Sequence, residues 1–271
     1  LSYLPQNVWQ APPKAPCTDP ADRRDESLIS VIPKDRGQVY QVRGVISGIV
    51  DSESFFELNP GYGKSLAVGL ARLNGHPIGI MANDTMHLGG AVNAAAADKM
   101  MRFVDLCDTF HLPVVNLVDN PGFLIGVQAE NEGTVRLGSR ALMACLQATV
   151  PWVSIIIRRC YGVAGAGHGN SDRLNLRYAW PSADWGSLPI EGGVQAAYRR
   201  EIEASEDPDR RRREIEANLE QYRSPLRTAE AFGIEEVIDP RDTRAILCDW
   251  VALAYEIIPT QLGPKSRITR P

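Results

Sequence analysis

Two glycine-bearing stretches carry what chemistry the residues show. The first is Val118-Asp119-Asn120-Pro121-Gly122-Phe123, running on to Gly126. The second is Tyr161-Gly162-Val163-Ala164-Gly165-Ala166-Gly167-His168-Gly169-Asn170. Small residues let a main chain approach a ligand closely and offer free N–H groups. If the second stretch opens a helix, the helix end adds positive potential at the same point. Donors of this kind, aimed at developing negative charge, stabilise an oxyanion by ~2.7–4 kcal/mol each. The glycines at 162, 165, 167 and 169 lack the spacing of a dinucleotide fingerprint, and no Gly-Lys-Ser/Thr follows as in a Walker loop. A structural glycine-rich turn is the other reading of the same residues.

An acid–base set is harder to find. His168 lies in the second stretch, as a site residue or as a loop histidine holding a structural hydrogen bond. His87, beside Gly89-Gly90, has the same two readings, and His76 and His111 read as turn residues flanking strands. Asp119 and Glu130 are candidate bases, but carboxylates at strand ends usually cap or pair with cations. No Ser-His-Asp, HExxH or GxSxG arrangement is present. Many main-chain donors with few side-chain acids and bases suit a reaction in which substrate or cofactor supplies the base. The five cysteines, Cys17, Cys107, Cys145, Cys160 and Cys248, are scattered and form no CxxC pair. That argues against a disulfide framework or zinc site and for buried, reduced thiols in a cytoplasmic setting.

The elements that must hold these stretches alternate strand and helix. Residues 42–50 are apolar at helical spacing. A strand signal follows at Phe55-Phe56-Glu57. Residues 66–73, the turn Asn74-Gly75 and residues 77–82 read as a β-hairpin. Helices are expected over 94–110 and 132–148, the second with Val135, Ser139, Leu142 and Leu146 as its apolar stripe. Buried strands are expected over 114–118 and 152–157, with a short one at Tyr178-Ala179-Trp180-Pro181. Ligands in α/β folds sit at the carboxyl ends of strands, which is where both glycine stretches fall. A helix starts in 191–200. The charged run 205–223, containing Arg210-Arg211-Arg212-Arg213, reads as a solvated helical hairpin with i, i+4 pairs, the alternative being a site for an anionic partner. A last helix covers 243–257. Residues 1–38, punctuated by Pro5, Pro12, Pro13, Pro16, Pro20 and Pro33, read as a linker or arm that Tyr3 and Trp9 pin to a surface; residues 39–271 form the domain.

The chain of 271 residues is 44% hydrophobic and 23% charged, the balance of a globular domain with one core. Its net charge of −4 argues against nucleic acid as a partner. The longest apolar runs, such as 153–157, are too short for a bilayer, so no membrane partner is expected. No signal-peptide pattern is visible. The opening Leu1 rather than Met suggests a fragment, a processed product or an ordered portion of a longer protein.

The residues resemble the carboxyltransferase subunits of propionyl-CoA, acetyl-CoA and methylcrotonyl-CoA carboxylases. The likeness runs from Leu1-Ser2-Tyr3-Leu4-Pro5 through Phe55-Phe56-Glu57, Leu70-Ala71-Arg72-Leu73-Asn74-Gly75 with Pro77-Ile78-Gly79-Ile80, residues 99–103, Val118-Asp119-Asn120-Pro121-Gly122-Phe123, Ala148-Thr149-Val150-Pro151, Arg159-Cys160-Tyr161-Gly162 and Ala179-Trp180-Pro181 to Ile238-Asp239-Pro240. It is to the C-terminal half of those subunits. The resemblance implies a crotonase-like (ClpP/crotonase) α/β fold of repeated ββα units with an extended N-terminal arm. It implies a biotin-dependent ligase or transferase that moves the carboxyl group of carboxybiotin, held on a separate carrier, to the α carbon of an acyl-CoA. The partners implied are a biotin carboxyl carrier, a biotin carboxylase component and an N-terminal carboxyltransferase half, in a homo- or hetero-oligomer. A biotin-linked decarboxylase subunit and a non-catalytic assembly or carrier-docking module are the alternatives.

By the same resemblance the family's Phe/Tyr-Gly-Gly-Ala motif falls on Tyr161-Gly162-Val163-Ala164. The N–H groups of Val163 and Ala164 then form the oxyanion hole, and Pro121, Gly122, Phe123, Tyr161, Gly162 and Gly165 line the biotin side. Val163 stands where the family has its second glycine; the N–H survives, beside a branched side chain. Leu188-Pro189 stands where relatives carry Met-Gly, and Pro189 has no N–H to donate.

Overall fold

The protein is described by a computed structural model covering residues 1–35, 37–167, 173–186, 190–220 and 222–270. Val42, Val45, Ile46 and Ile49 recur at helical spacing and are the buried face of α1 (Val42–Ile49). Strands β1 (Phe56–Leu58), β2 (Leu66–Leu73) and β3 (His76–Asn83) form an antiparallel meander. Asn74 and Gly75 turn the β2–β3 hairpin with φ of 48° and 79°, the two positive values that a tight hairpin turn needs. Gly75 is required twice over. An added Cβ would lie 2.1 Å from the carbonyl oxygen of Ala15, where the N-terminal arm meets the turn.

The chain then becomes parallel. Helix α2 (Ala94–Thr109) starts at Asn93, whose side chain accepts from the Ala96 N–H. Wholly buried β4 (Val114–Asn120) follows, then short α3 (Val127–Asn131) and α4 (Thr134–Gln147). The expected apolar stripe of α4 is not the buried one. Val135 and Leu146 are exposed, and the helix instead buries Thr134, Gly138, Ala141, Ala144 and Cys145. Small residues let α4 lie close to its neighbours, and at Gly138 the ring of Phe123 fills the place where a Cβ would be. Periodicity marks two candidate faces, and only packing chooses between them.

Strand β5 (Trp152–Tyr161) runs on past the expected end at 157 and passes directly into α5 (Gly162–Ala166). Next comes β6 (Asn175–Ala179), which stops short of Trp180; that indole is buried and donates to Thr243 Oγ1 at 2.9 Å. The remainder is β7 (Asp184–Gly186), α6 (Ile190–Ala197), α7 (Arg199–Glu203), α8 (Pro208–Glu220), α9 (Pro225–Glu230), β8 (Glu236–Val237) and α10 (Thr243–Ile257). The arginine run lies on α8. Its side chains pair with their own neighbours, Arg210 with Glu214 at 3.0 Å and Arg212 with Glu216 at 3.9 Å, while Arg211 also reaches Glu201 on α7. This is the solvated helical reading of that segment.

The strands form one sheet in the order β1-β2-β3-β4-β5-β6-β8, with β7 paired to the far end of β5. Alternate residues face opposite sides. Ile78, Ile80, Val115, Leu117, Val153 and Ile155 meet α1 and α10 on one face; Met81, Val114 and Trp152 meet α2 and α4 on the other. The result is a sheet covered on both sides by helices, with the carboxyl ends of β3, β4 and β5 at one edge. No helix among the described residues is long and apolar enough to cross a membrane.

Residues 1–38 lie along this body. Leu28, in a 3₁₀ turn at Glu26–Ile29, is buried in the α1/α10 core. The Tyr3 hydroxyl donates to the Ser54 carbonyl, and the Arg72 guanidinium sits 4.5 Å over the Tyr3 ring. The Trp9 ring is largely exposed but lies against Gly263. His111, expected as a turn residue, does have a φ of 58°, yet it is fully buried, with Nε2 2.6 Å from the Val8 carbonyl oxygen.

Candidate functional site

The second glycine stretch is a helix start. Gly162 takes a φ of 56° between the end of β5 and the first turn of α5, a conformation that costs an L-residue about 1–2 kcal/mol. Val163 and Ala164 occupy that first turn, where a helix has no carbonyl of its own to receive N–H groups. Outside α5 itself, neither N–H has a main-chain partner among the described residues. The Val163 side chain is exposed while Ala164 is buried. Gly165 is turned inward: an added Cβ would lie 2.7 Å from the carbonyl carbon of Cys160. The missing Cβ lets α5 pack closely on β5.

The first stretch leaves β4 beside α5. Pro121, Gly122 and Phe123 are half-buried. The strand-like pairing of Phe123 with Val92 holds the loop: the Val92 N–H donates to the Gly122 carbonyl at 3.0 Å, and the Leu124 N–H donates to the Val92 carbonyl at 2.9 Å. The loop and α5 are joined by Asn120, whose side chain touches both.

Tyr161, immediately before α5, is buried, and its hydroxyl works on the protein. It donates to Asp184 Oδ2 at 2.6 Å and accepts from Arg223 Nη2 at 2.7 Å, while Arg223 also pairs with Asp184. Burial, reinforced by the Asp184 carboxylate, pushes this phenol well above its ordinary pKa, so it stays a donor. This triad forms one wall of a cleft of about 690 Å³ whose rim also includes Pro121, Arg158 and Arg159. Val163, Ala164, Gly122 and Phe123 lie outside its lining.

The candidate bases separate clearly. Asp119 is 1% exposed and accepts from Arg158 Nε at 2.9 Å and from Arg159 Nε at 2.7 Å. A carboxylate so paired is structural. Glu130 is exposed on α3, and His87 precedes a short 3₁₀ turn at Leu88–Gly90 without capping it through its side chain. His168, Leu188 and Pro189 lie outside the described residues. The thiol of Cys160, just before Tyr161, is pushed up to about 12 by burial and cannot serve as a nucleophile.

Sequence reasoning missed the polar residues that tie the loops. Asn83 ends β3; its Nδ2 donates to the Gly90 carbonyl and its Oδ1 accepts the Asp119 N–H. Arg159 Nη2 donates to the Gly89 carbonyl at 2.6 Å. The available signal is a polar residue closing an otherwise apolar strand, as Asn83 closes β3 and Asp119-Asn120 closes β4. Buried amides and carboxylates at such positions must find partners, and here the partners are the neighbouring loops.

The described geometry sets the first turn of α5 and the loop after β4 side by side, tied by the buried Asn120, at the carboxyl ends of the parallel strands. Comparison with known proteins gives the family. A model of the carboxyl transferase domain matches residues 1–263. The chain is 38% identical over 274 residues to the methylmalonyl-CoA carboxyltransferase 12S subunit of Propionibacterium freudenreichii subsp. shermanii, covering 100% of this chain and 50% of that protein. It is 37% identical over 249 residues to the propionyl-CoA carboxylase carboxyltransferase subunit of Haloferax mediterranei, covering 90% and 48%. The solved transcarboxylase 12S hexamer, with methylmalonyl-coenzyme A and methylmalonic acid bound, superposes with a TM-score of 0.85 at 35% identity, over 100% of this chain and 51% of that one. This chain therefore spans about half the length of the relatives it matches, and it corresponds to the C-terminal half of the 12S-type subunit. Its α/β architecture is the crotonase-like one that the sequence resemblance implies. Over nearly all of its length the chain belongs to the carboxyl transferase domain family.

Proposed function

We propose that this chain forms the biotin side of a cytoplasmic carboxyltransferase that moves the carboxyl group of carboxybiotin, borne on a separate carrier, to the α carbon of an acyl-CoA. The observation that carries the reading is the pair of first-turn N–H groups at Val163 and Ala164, beside the Pro121-Gly122-Phe123 loop, in a carboxyl transferase domain. The residues fit the group. A ureido oxygen is an acceptor and needs donors; the site offers main-chain N–H groups, and the carboxylates beside it, Asp119 and Asp184, are already paired with arginines.

Biotin, when bound, supplies both the carboxyl group and the base. The chain's own part is to orient and to stabilise. The two N–H groups meet charge as it develops, each donor supplying ~2.7–4 kcal/mol of transition-state stabilisation. Gly162 sets the entry into the turn, and Tyr161, locked by Asp184 and Arg223, fixes the strand end from which α5 departs. The Pro121-Gly122-Phe123 loop walls the ring, with Phe123 anchored over Gly138.

Partners follow from the surface around α5. Ile125, Val127, Val135 and Val163 are between 66% and 89% exposed, on α5, α4, α3 and the loop before it. These exposed apolar side chains support a reading in which another protein covers this chain. An N-terminal carboxyltransferase half, presenting the acyl-CoA, fits that need. Transfer of the carboxyl group from carboxylated short, branched and hydroxylated acyl-CoAs to free biotin, the reverse direction, which needs no separate biotin carboxylase, tests the reading. The chain combined with its N-terminal half should be active and the chain alone nearly inactive. Silence of the combined assembly across all these acyl groups rejects it.

A further inference from the structure

We propose that Asn120 is a positioning residue that locks α5 to the loop after β4, and so sets where the Val163 and Ala164 donors stand; this rests on the carboxyl-transfer reading above. Asn120 is the last residue of β4 and is fully buried. Its Nδ2 donates to the Ala164 carbonyl at 2.9 Å, and its Oδ1 accepts the Gly122 N–H at 2.9 Å. Both partners are main-chain groups with fixed roles, one acceptor and one donor, so they dictate which way the amide points. One side chain thereby spans the two segments that make the site.

The backbone is arranged to deliver this side chain. The β4–β5 ladder is regular as far as Val118 opposite Ile156 and then shifts, so that Asn120 faces Cys160. Such an irregularity bends a strand and re-aims its side chains. It also gives Asp119 its place between Arg158 and Arg159. The neighbouring carboxylate therefore makes ion pairs while the amide alone bridges the loops. No other side chain among the described residues donates or accepts a hydrogen bond at Gly122 or Ala164. The amide is chemically specific. Aspartate keeps an acceptor for Gly122 but turns a lone pair on the Ala164 carbonyl, and leucine, of similar shape, serves neither partner. A helix of five residues has little cohesion of its own, so its attachment decides its orientation. Because oxyanion donors work only within a narrow geometry, a tilt of α5 lowers the rate without weakening acyl-CoA binding.

The test compares Asn120→Asp and Asn120→Leu with the wild type, each assembled with the N-terminal half, by steady-state kinetics and by hydrogen exchange of the peptide covering residues 161–167. Asn120→Asp should lower kcat about tenfold with the KM for acyl-CoA within about twofold. Amide exchange in 163–167 should quicken about tenfold while the rest of β4 and β5 is unchanged. Asn120→Leu should do the same and also quicken exchange at Gly122. Should the aspartate variant not fold, Asn120→Ser repeats the measurement without the charge. A kcat within twofold of wild type, or faster exchange spread evenly over the sheet, overturns the latch. If the wild-type assembly has no turnover, the carboxyl-transfer reading fails by itself; the exchange rates still decide the latch, and unchanged exchange at 163–167 overturns it.

Discussion

Asp119 shows how a carboxylate that looks catalytic in sequence becomes structural in three dimensions. It is buried between Arg158 and Arg159, and Arg158 also donates to the Gln38 carbonyl at 2.9 Å. Replacing it with alanine leaves the buried Arg158 guanidinium and the partly buried Arg159 guanidinium without their carboxylate. We expect Asp119→Ala to lose about 3–5 kcal/mol of stability, read from urea melts; a loss below about 1 kcal/mol would contradict the ion-pair account. Val163 tests the donor account most directly. Proline is tolerated in the first turn of a helix but has no N–H. Val163→Pro should therefore lower turnover about 10²–10³-fold, while Val163→Gly, which keeps the N–H, should stay within about threefold. Equal losses in both would point to the side chain instead. The thiols give a third check. Cys107, Cys145, Cys160 and Cys248 are buried, and Cys145 is pushed up to about 12 and Cys248 to about 11 by burial. Alkylation of the native protein at pH 8 should label Cys17 alone, with all five labelled in denaturant, as counted by mass spectrometry.

At the scale of elements, α5 depends on how closely it meets β5. A Cβ at Gly165 would press on the Cys160 backbone, which cannot retreat as a flexible side chain would. Gly165→Val is expected to cost about 1–3 kcal/mol and to abolish most turnover by lifting the helix. Melts that fall while kcat holds would separate the packing from the site. The turn into α10 carries a pH signature. Arg241 hydrogen-bonds Asp239 and holds that carboxyl at about 2 against an ordinary 3.8, and it also reaches Glu26 in the arm's 3₁₀ turn at 3.2 Å. The folded-state value is lowered, so this contribution is complete above about pH 4 and is lost as pH falls from 3.8 towards 2. Wild-type stability should fall more steeply across that window than that of Arg241→Gln, in melts followed against pH; matching slopes would show the pairing to be inconsequential.

For the whole molecule, one arginine ties the arm, α1 and α10 together. Arg244 is 1% exposed and donates to the carbonyls of Pro20, Ile49 and Asp19 at 2.8, 3.0 and 3.2 Å, and to Asp51 Oδ1 at 2.8 Å. Asp51 in turn accepts the N–H groups of Asn74 and Gly75 in the β2–β3 turn. Arg244→Met should cost about 3–5 kcal/mol, because it strands a buried carboxylate. It should also loosen the arm, so that trypsin cuts after Arg23 and Arg24 before the body is digested. An unchanged digestion pattern would mean that Leu28 and Tyr3 hold the arm without it. The proposed dependence on an N-terminal half belongs to this scale too.

The order and type of the main elements were legible in the residues. Asn74-Gly75 announced the hairpin, and the apolar runs 114–118 and 152–157 announced strands buried on both faces. The glycines and the Pro121-Gly122-Phe123 motif pointed to the edge where the loops gather. These are local properties: each follows from side-chain period and from the φ values a residue tolerates. What tertiary structure alone decided was orientation and partnership. It chose the small face of α4 over the larger apolar stripe. It turned Gly165 inward, spent Tyr161 on Asp184 and Arg223, and gave Asn120 to two loops at once. The bonds of Tyr161 to Asp184 and Arg223 and of Asn120 to Ala164 join groups more than 20 residues apart in the chain, and a distance between segments is fixed only when the whole core has closed around them.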